Sequence, residues 1–324
     1  MKRFAISMMA AVMAVSAGAA QAAEKVTYLF PAPDFLPAFA PFQLAKNKGY
    51  FADEGLDVTF MVGKGGADVA TQVAVGNADI GGGIGDTPII VRANGLNIRG
   101  VALLGGRGLT QLAWRKDSGI TGPADFKGKA IGVLGFQDTT YYNLLGAMAS
   151  VGLSKDDVNI QGVGPGGIIQ LTIAGTLQGM SGVPEWIAAI EAAGIPMDQV
   201  SVDTMFPAMA QAILASDKTI AERPEVVKGI VAGVIRALKD IQADPAKAAQ
   251  EYVSFVPQHT GKEKAIEAIM RAYVEKVYPA AEGQPLGAFD PERMAKVQKF
   301  YIDNGIVKTA VPVEDLYTNE FVPQ

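Results

Sequence analysis

Residues 45–58 read Ala-Lys-Asn-Lys-Gly-Tyr-Phe-Ala-Asp-Glu-Gly-Leu-Asp-Val, and residues 76–80 read Gly-Asn-Ala-Asp-Ile. Gly49 predicts the end of a helix of about three turns, because a glycine just past the last turn adopts the left-handed conformation at little cost. Leu56 to Val62 alternates and is rich in β-branched and aromatic residues, which predicts a strand. A further predicted strand, Val26 to Phe30, precedes the helix. Strand, loop and helix therefore repeat, which predicts a parallel sheet with its strand-end loops at one edge.

The same residues resemble a known family. "Glycine, aromatic, Phe, x-x, Glu-Gly-Leu-x-Val" and "Gly-x-Ala-Asp-Ile" resemble the solute-binding proteins of ABC importers for nitrate, sulfonates, taurine and thiamine-precursor pyrimidines. The resemblance implies an α/β fold, a two-lobed clamshell of the periplasmic-binding-protein type (type II), each lobe a mostly parallel sheet flanked by helices. It places a first lobe at residues 24–106 plus 207–324 and a second at 107–206. The solute is expected in the cleft between them.

Residues 1–22 have the pattern of a secretory signal peptide. A basic start, Met1-Lys2-Arg3, precedes an apolar run from Phe4 to Ala17 and a small-residue end at Ala20-Gln21-Ala22. The run is shorter than the roughly 20 apolar residues that a membrane span needs. The chain has no cysteine, so neither a disulfide nor a lipid-modified cysteine is available. We expect an exported periplasmic protein without a membrane anchor.

The charge balance argues against nucleic acid or an anionic membrane as a partner. The chain has 28 Lys+Arg and 33 Asp+Glu, and removal of Lys2 and Arg3 with the signal leaves 26 against 33, a net charge of −7. The expected partners are a small-molecule solute and, as the resemblance implies, the transmembrane permease subunits of an ABC importer. No cofactor is expected.

Helix-opening loops supply the candidate ligand-binding residues of the first lobe, together with the loop after the first strand. These candidates are Asp34, Phe35, Lys64, Gly65, Gly66, Asp86 and Thr87. Free N–H groups and the positive helix end after Lys64 can hold an anion or a carbonyl oxygen, or the glycines can form an ordinary tight turn. Asp86 is expected to cap the helix that follows, while Thr87 can point into the cleft.

The candidates of the second lobe are Gln137, Thr139, Thr140, Tyr141, Glu185 and Trp186. The first three offer hydrogen-bond donors and Tyr141 offers a ring wall. Trp186 follows a predicted strand and can stack on a flat solute or pack in the core, and Phe35 presents the same choice.

Asp79-Ile80 is predicted as a short strand. Helices are predicted at Thr139 to Ser150, at Ile168 to Leu177 after a further glycine loop, Gly164 to Gly167, and from Pro224 to about Ala243.

Carboxylates outnumber cations around the predicted cleft. Asp34, Asp86, Asp138 and Glu185 lie on its loops, against Lys64 and Arg107. Because a buried anion needs compensating charge, this composition favours a nitrogen-containing heteroaromatic solute, such as a thiamine-precursor pyrimidine, or an amine. An anion of the sulfonate, taurine or nitrate type is the alternative.

An enzymatic role is not expected. Related folds include a thiamine-pyrimidine synthase and a sulfinate-cleaving hydrolase, which the family pattern equips with a catalytic cysteine or a histidine-rich site. This chain has no cysteine, and its one histidine, His259, lies in a turn predicted to be solvated and far from the cleft. No catalytic residue and no metal site are predicted, and a carboxylate-dependent enzyme is the distant alternative.

Overall fold

The computed structural model describes residues 22–323. The predicted signal peptide lies outside these residues, apart from its last residue, Ala22. The strands of the described range are β1 (Glu24–Phe30), β2 (Leu56–Val62), β3 (Ile80–Ile84), β4 (Ile98–Leu103), β5 (Gln111–Arg115), β6 (Ala130–Val133), β7 (Asn159–Gly162), β8 (Gly179–Gly182), β9 (Met197–Ser201) and β10 (Gln211–Ser216).

The strands form two five-stranded sheets, in the orders β2-β1-β3-β10-β4 and β7-β6-β8-β5-β9. In each sheet one strand runs against the other four: β10 is antiparallel to β3 and β4, and β5 is antiparallel to β8 and β9. We call the first sheet with its helices the first lobe and the second sheet with its helices the second lobe. The predicted two-lobed α/β fold with mostly parallel sheets is confirmed.

Helices cover both sheets. They are α1 (Ala40–Asn47), α2 (Tyr50–Asp53), α3 (Gly66–Ala74), α4 (Thr87–Arg92), α5 (Thr139–Ser150), α6 (Gly164–Ile173), α7 (Pro184–Ala192), α8 (Asp217–Glu222), α9 (Pro224–Ala243), α10 (Pro245–Phe255), α11 (Glu263–Lys276), α12 (Pro291–Asp303) and α13 (Val313–Leu316). The C-terminal helices belong to the first lobe, since α9 packs on β2 and β4, and α10 and α11 pack on α9. Among the described residues, no helix has the length and apolar character to cross a membrane.

The central strand of the first lobe, β3, has the sequence Ile-Gly-Gly-Gly-Ile. Sequence reasoning predicted only Asp79–Ile80 as strand, because glycine has a low strand propensity. A Cβ atom on Gly81 would lie 2.3 Å from Cγ1 of Val69, and one on Gly83 would lie 2.6 Å from Oγ1 of Thr87. The glycines therefore allow α3 and α4 to pack directly on the strand, which brings both helix starts to the edge of the cleft.

One predicted helix start is wrong, and one strand was missed. The helix α6 begins at Gly164 rather than at Ile168, so the predicted glycine loop is its first turn. Trp186 follows the strand β8, as predicted, and lies in the first turn of α7, because Pro184 starts that helix. The edge strand β9 was not predicted, since its polar sequence Met-Asp-Gln-Val-Ser lacks the apolar alternation of a half-buried strand.

Two segments, residues 104–110 and 202–210, connect the lobes. Arg293 of α12 contacts both. Its guanidinium donates to the carbonyl oxygens of Gly106 at 3.1 Å and Pro207 at 3.2 Å and forms an ion pair with Asp203. The two connections are thereby tied to one another and to the C-terminal helices.

Candidate functional site

A cavity of about 50 Å³ lies between the two lobes, at the ends of their strands. The first lobe contributes Gly83, Ile84 and Gln211, and the second contributes the start of α5 and the start of α7. Of the residues predicted from the sequence, Thr139, Thr140, Glu185 and Trp186 line this cavity. We call it the inner cavity.

Glu185 is the buried carboxylate of the inner cavity, with 5% of its surface exposed. Its Oε2 accepts a hydrogen bond from the hydroxyl of Tyr273 on α11, which links the two lobes. Its Oε1 has no hydrogen-bond partner among residues 22–323. Burial raises the pKa of this carboxyl to about 7, although the hydrogen bond from Tyr273 and the backbone N–H groups of Glu185 and Ala38 oppose the rise.

Two further buried polar atoms at the inner cavity make no hydrogen bond within the described part of the chain. They are Nε1 of Trp186, a donor, and Oε1 of Gln211, an acceptor. Trp186 is 3% exposed and therefore packs in the core while also forming a wall of the cavity. Gln211 was missed from the sequence, although a polar residue at the start of an otherwise apolar strand was a usable signal.

Residues of the second lobe accept hydrogen bonds from the first backbone N–H groups of α3. The carboxylate of Asp138 accepts a hydrogen bond from the backbone N–H of Gly66 at 3.3 Å. The carbonyl oxygen of Gln137 accepts one from the backbone N–H of Ala67 at 3.0 Å. A Cβ on Gly65 would lie 2.8 Å from the backbone of Asp138, so the lobes approach to within backbone contact. The glycines predicted to hold a ligand are thus in contact with the opposite lobe.

Asp138 also caps its own helix, because its Oδ1 accepts from the backbone N–H of Thr140 at 2.9 Å. Burial raises the pKa of this carboxyl, and the hydrogen bonds from Thr140 and Gly66 oppose the rise. The hydroxyls of Thr87 and Thr139 meet across the cleft at 2.9 Å. Thr87 therefore points into the cleft, where it contacts the second lobe.

The capping role expected for Asp86 is wrong, since its side chain makes no hydrogen bond to the start of α4. Its fully buried carboxylate accepts instead from Asn143 of the second lobe at 2.6 Å and from the hydroxyl of Tyr301 at 2.8 Å. Burial raises the pKa of Asp86 to about 6, against the lowering effect of these two bonds. Asp86 is a buried link between the lobes and does not line the inner cavity.

The remaining sequence candidates lie around the inner cavity and do not line it. Lys64 is exposed, as is the side chain of Gln137, and Tyr141 packs edge-on against Phe136 with 5.3 Å between ring centroids. Asp34 accepts from the side-chain amide of Gln43 through its backbone oxygen at 3.1 Å.

The position predicted for His259 is wrong. Its Nε2 lies 2.7 Å from the carbonyl oxygen of Phe35, and its ring lies beside that of Tyr252 with 5.5 Å between centroids. His259 is therefore half-buried against the first strand-end loop, next to the cleft. Phe35 contacts His259 and Tyr252 through its carbonyl oxygen, while its ring is partly buried against the core.

No lysine, arginine or histidine is among the described residues that line the inner cavity. Arg107 is exposed and lies within the first connecting segment, where it lines a separate depression together with Arg293. The unpartnered atoms of the inner cavity are thus two acceptors and one donor, and no lysine or arginine is among the described residues of the same lining. Such a surface suits a solute that carries N–H donors and a ring acceptor.

A family model described as "NMT1/THI5 like" matches residues 36–248. The riboflavin-binding protein RibY of Chloroflexus aurantiacus is 24% identical over 300 residues, which cover 88% of this chain and 82% of that protein. The 4-amino-5-hydroxymethyl-2-methylpyrimidine phosphate synthase of Aspergillus parasiticus is 28% identical over 244 residues, 68% of each chain.

Solved structures of binding proteins share the fold. The alkanesulfonate-binding protein SsuA from Xanthomonas axonopodis pv. citri, bound to MOPS, superposes with a TM-score of 0.72 over 92% of this chain and 99% of that one, at 16% identity. The periplasmic nitrate-binding protein NrtA from Synechocystis PCC 6803 gives a TM-score of 0.64 over 92% and 86%, at 14% identity. At these identities the likeness concerns the fold alone.

Proposed function

Because the chain belongs to the NMT1/THI5-like family, we propose that it is the solute-binding component of an ABC importer and binds a small nitrogen-containing heteroaromatic solute, such as a thiamine-precursor pyrimidine, or an amine. The signal-peptide pattern of residues 1–22 supports a periplasmic location. The proposed lobes, residues 24–106 plus 207–324 and residues 107–206, close on the solute, and the permease subunits recognise the closed form.

The unpartnered polar atoms of the inner cavity carry this proposal. Oε1 of Glu185 and Oε1 of Gln211 accept hydrogen bonds, and Nε1 of Trp186 donates one. An aminopyrimidine edge presents N–H donors beside a ring nitrogen acceptor and so satisfies all three. Since a buried polar atom without a partner costs about 1–3 kcal/mol, a solute that supplies these partners stabilises the closed form.

A sulfonate or nitrate fits the same surface poorly. Its oxygens are acceptors, so they would meet the ionised form of Glu185 with no lysine or arginine among the described residues of the inner-cavity lining to compensate the charge. The relatives support a heterocycle, because RibY is named for riboflavin and the fungal synthase for a pyrimidine. Those relatives also include synthases, so the experiment must distinguish binding from conversion.

The proposal is tested by calorimetry and thermal shift on the mature protein with 4-aminopyrimidine, an alkyl amine, taurine, an alkanesulfonate and nitrate. We expect the first two classes alone to bind and to raise the melting temperature. The Trp186→Phe variant keeps the aromatic packing and loses the donor, so its affinity should fall about fivefold to tenfold. Lys64→Ala is the control, because Lys64 is exposed and away from the cavity.

Two results would overturn the proposal. Stabilisation by the anions only, with a large loss of affinity in Lys64→Ala, would assign an anionic solute. Recovery of the bound molecule in chemically altered form, by mass spectrometry after incubation, would assign an enzyme.

A further inference from the structure

A second cavity opens beside the inner one, between α7 of the second lobe and α11 of the first. Its volume is about 560 Å³, and it shares Leu36, Glu185 and Trp186 with the inner cavity. We call it the α7–α11 groove. Because three side chains belong to both linings, the two spaces are neighbours separated only by those residues.

Most of the groove wall is small and apolar, and besides Glu185 its ionisable residues are His259 and Lys262. Ala188, Ala189 and Ala192 project from α7, and Ala265 and Ala268 project from α11, with isoleucines between them. Any longer side chain at these positions would fill the space between the helices. The alanines therefore keep the groove open, and its lining is suited to an uncharged apolar group.

The two buried polar side chains that carry the proposed function also belong to the groove. Glu185 and Trp186 line both spaces, both side chains are more than nine-tenths buried, and neither Oε1 of Glu185 nor Nε1 of Trp186 has a partner among residues 22–323. A molecule that bonds to these two atoms contacts residues that line both spaces.

The volumes indicate how much of that molecule lies on each side. Ligand pockets measure about 300–1,000 Å³, so the inner cavity of about 50 Å³ is too small to enclose a substituted ring. The groove of about 560 Å³ lies within the range. The inner cavity can hold the hydrogen-bonding edge of a ring, while the bulk of the molecule extends beyond Trp186.

We propose that the solute is an extended heterocycle, whose N–H-bearing edge enters the inner cavity and whose apolar part, a fused ring or an alkyl substituent, lies in the α7–α11 groove. This inference rests on the proposed function and specifies its substrate class. The apolar part gains affinity by burial against the alanines of both lobes, and it thereby favours the closed arrangement in which the two helices face each other.

Matched compounds test the inference: 4-aminopyrimidine, 4-aminoquinazoline, which adds a fused apolar ring, and 4-aminopyrimidine-5-carboxylate, which adds a charge. Calorimetry on the mature protein should find the quinazoline bound at least about tenfold more tightly than the pyrimidine, from burial of four additional carbons. The carboxylate should bind more weakly than the quinazoline, because it adds a charge in place of the apolar carbons.

Three variants locate the effect. Ala192→Leu and Ala265→Leu fill the groove from opposite lobes at exposed positions and should each remove most of the quinazoline's advantage, with the pyrimidine affinity unchanged. Ala193→Leu is the control, because Ala193 is exposed beside Ala192 and does not line the groove. Equal binding of pyrimidine and quinazoline would overturn this inference and leave the proposed function standing, whereas binding of neither would overturn both.

Discussion

The carboxyl of Glu185 should make the stability of the protein depend on pH in a defined window. Its pKa rises from 4.5 in the unfolded chain to about 7 in the folded protein. The folded state therefore holds this proton more tightly, and its stability falls as the pH rises from about 4.5 to about 7, then levels off. At 1.36 kcal/mol per unit of pKa, the whole loss is about 3 kcal/mol, of which about 1 kcal/mol falls between pH 6 and pH 8.

Urea unfolding of the ligand-free protein at about pH 6 and about pH 8 measures this loss. The Glu185→Gln variant is neutral at both values, so its stability should fall by about 1 kcal/mol less than that of the wild type. Asp86→Asn is the matched control: the pKa of Asp86 is raised only to about 6, so most of its contribution changes below this range. An identical pH dependence in wild type and Glu185→Gln would refute the burial argument.

Three further outcomes follow from the contacts between the lobes. Gly65→Ala should weaken solute binding at least about tenfold, because its Cβ would lie 2.8 Å from the backbone of Asp138 in the opposite lobe. Gly55→Ala controls for backbone strain alone, because Gly55 has φ +75° and a Cβ there would have no atom within 4 Å. Tyr301→Phe should lower the free energy of unfolding by about 1–3 kcal/mol, because a buried carboxylate loses a donor, and urea unfolding measures it. Arg293→Met should lower the melting temperature, as both connecting segments lose hydrogen bonds; an unchanged value would show that these bonds contribute no net stability.

Elements with local signals at both ends were predictable from the sequence. The predicted bounds of β2, Leu56–Val62, of α5, Thr139–Ser150, and of α9, Pro224–Ala243, are those of the structure. Asp138 caps α5 and Pro224 starts α9, so each boundary is set by a residue beside it. The glycines of β3 give no such local signal. Glycine is required there because α3 and α4, which lie elsewhere in the chain, pack directly on the strand.

The site was less predictable, because its contacts join residues distant in sequence. Nothing near Glu185 indicates that Tyr273 bonds to it, and nothing near Asp86 indicates Asn143. Each pair forms only when two lobes with separate sheets close on each other. Local patterns could place Glu185 at the cleft, but which of its oxygens is bonded and which is free depends on contacts with the other lobe.

The position of Asp138 has a consequence for the charge of the solute. A helix N-terminus at a cleft is an anion site, and α3 provides one at Gly66. Here the protein itself supplies the anion, because the carboxylate of Asp138 accepts a hydrogen bond from the N–H of Gly66 when the lobes are in contact. An anionic solute would have to displace this carboxylate and leave it buried beside a second negative charge, which is costly. A neutral heterocycle leaves the hydrogen bond between Gly66 and Asp138 in place and donates a further hydrogen bond to Glu185. Closure of the lobes and solute binding then stabilise the same arrangement.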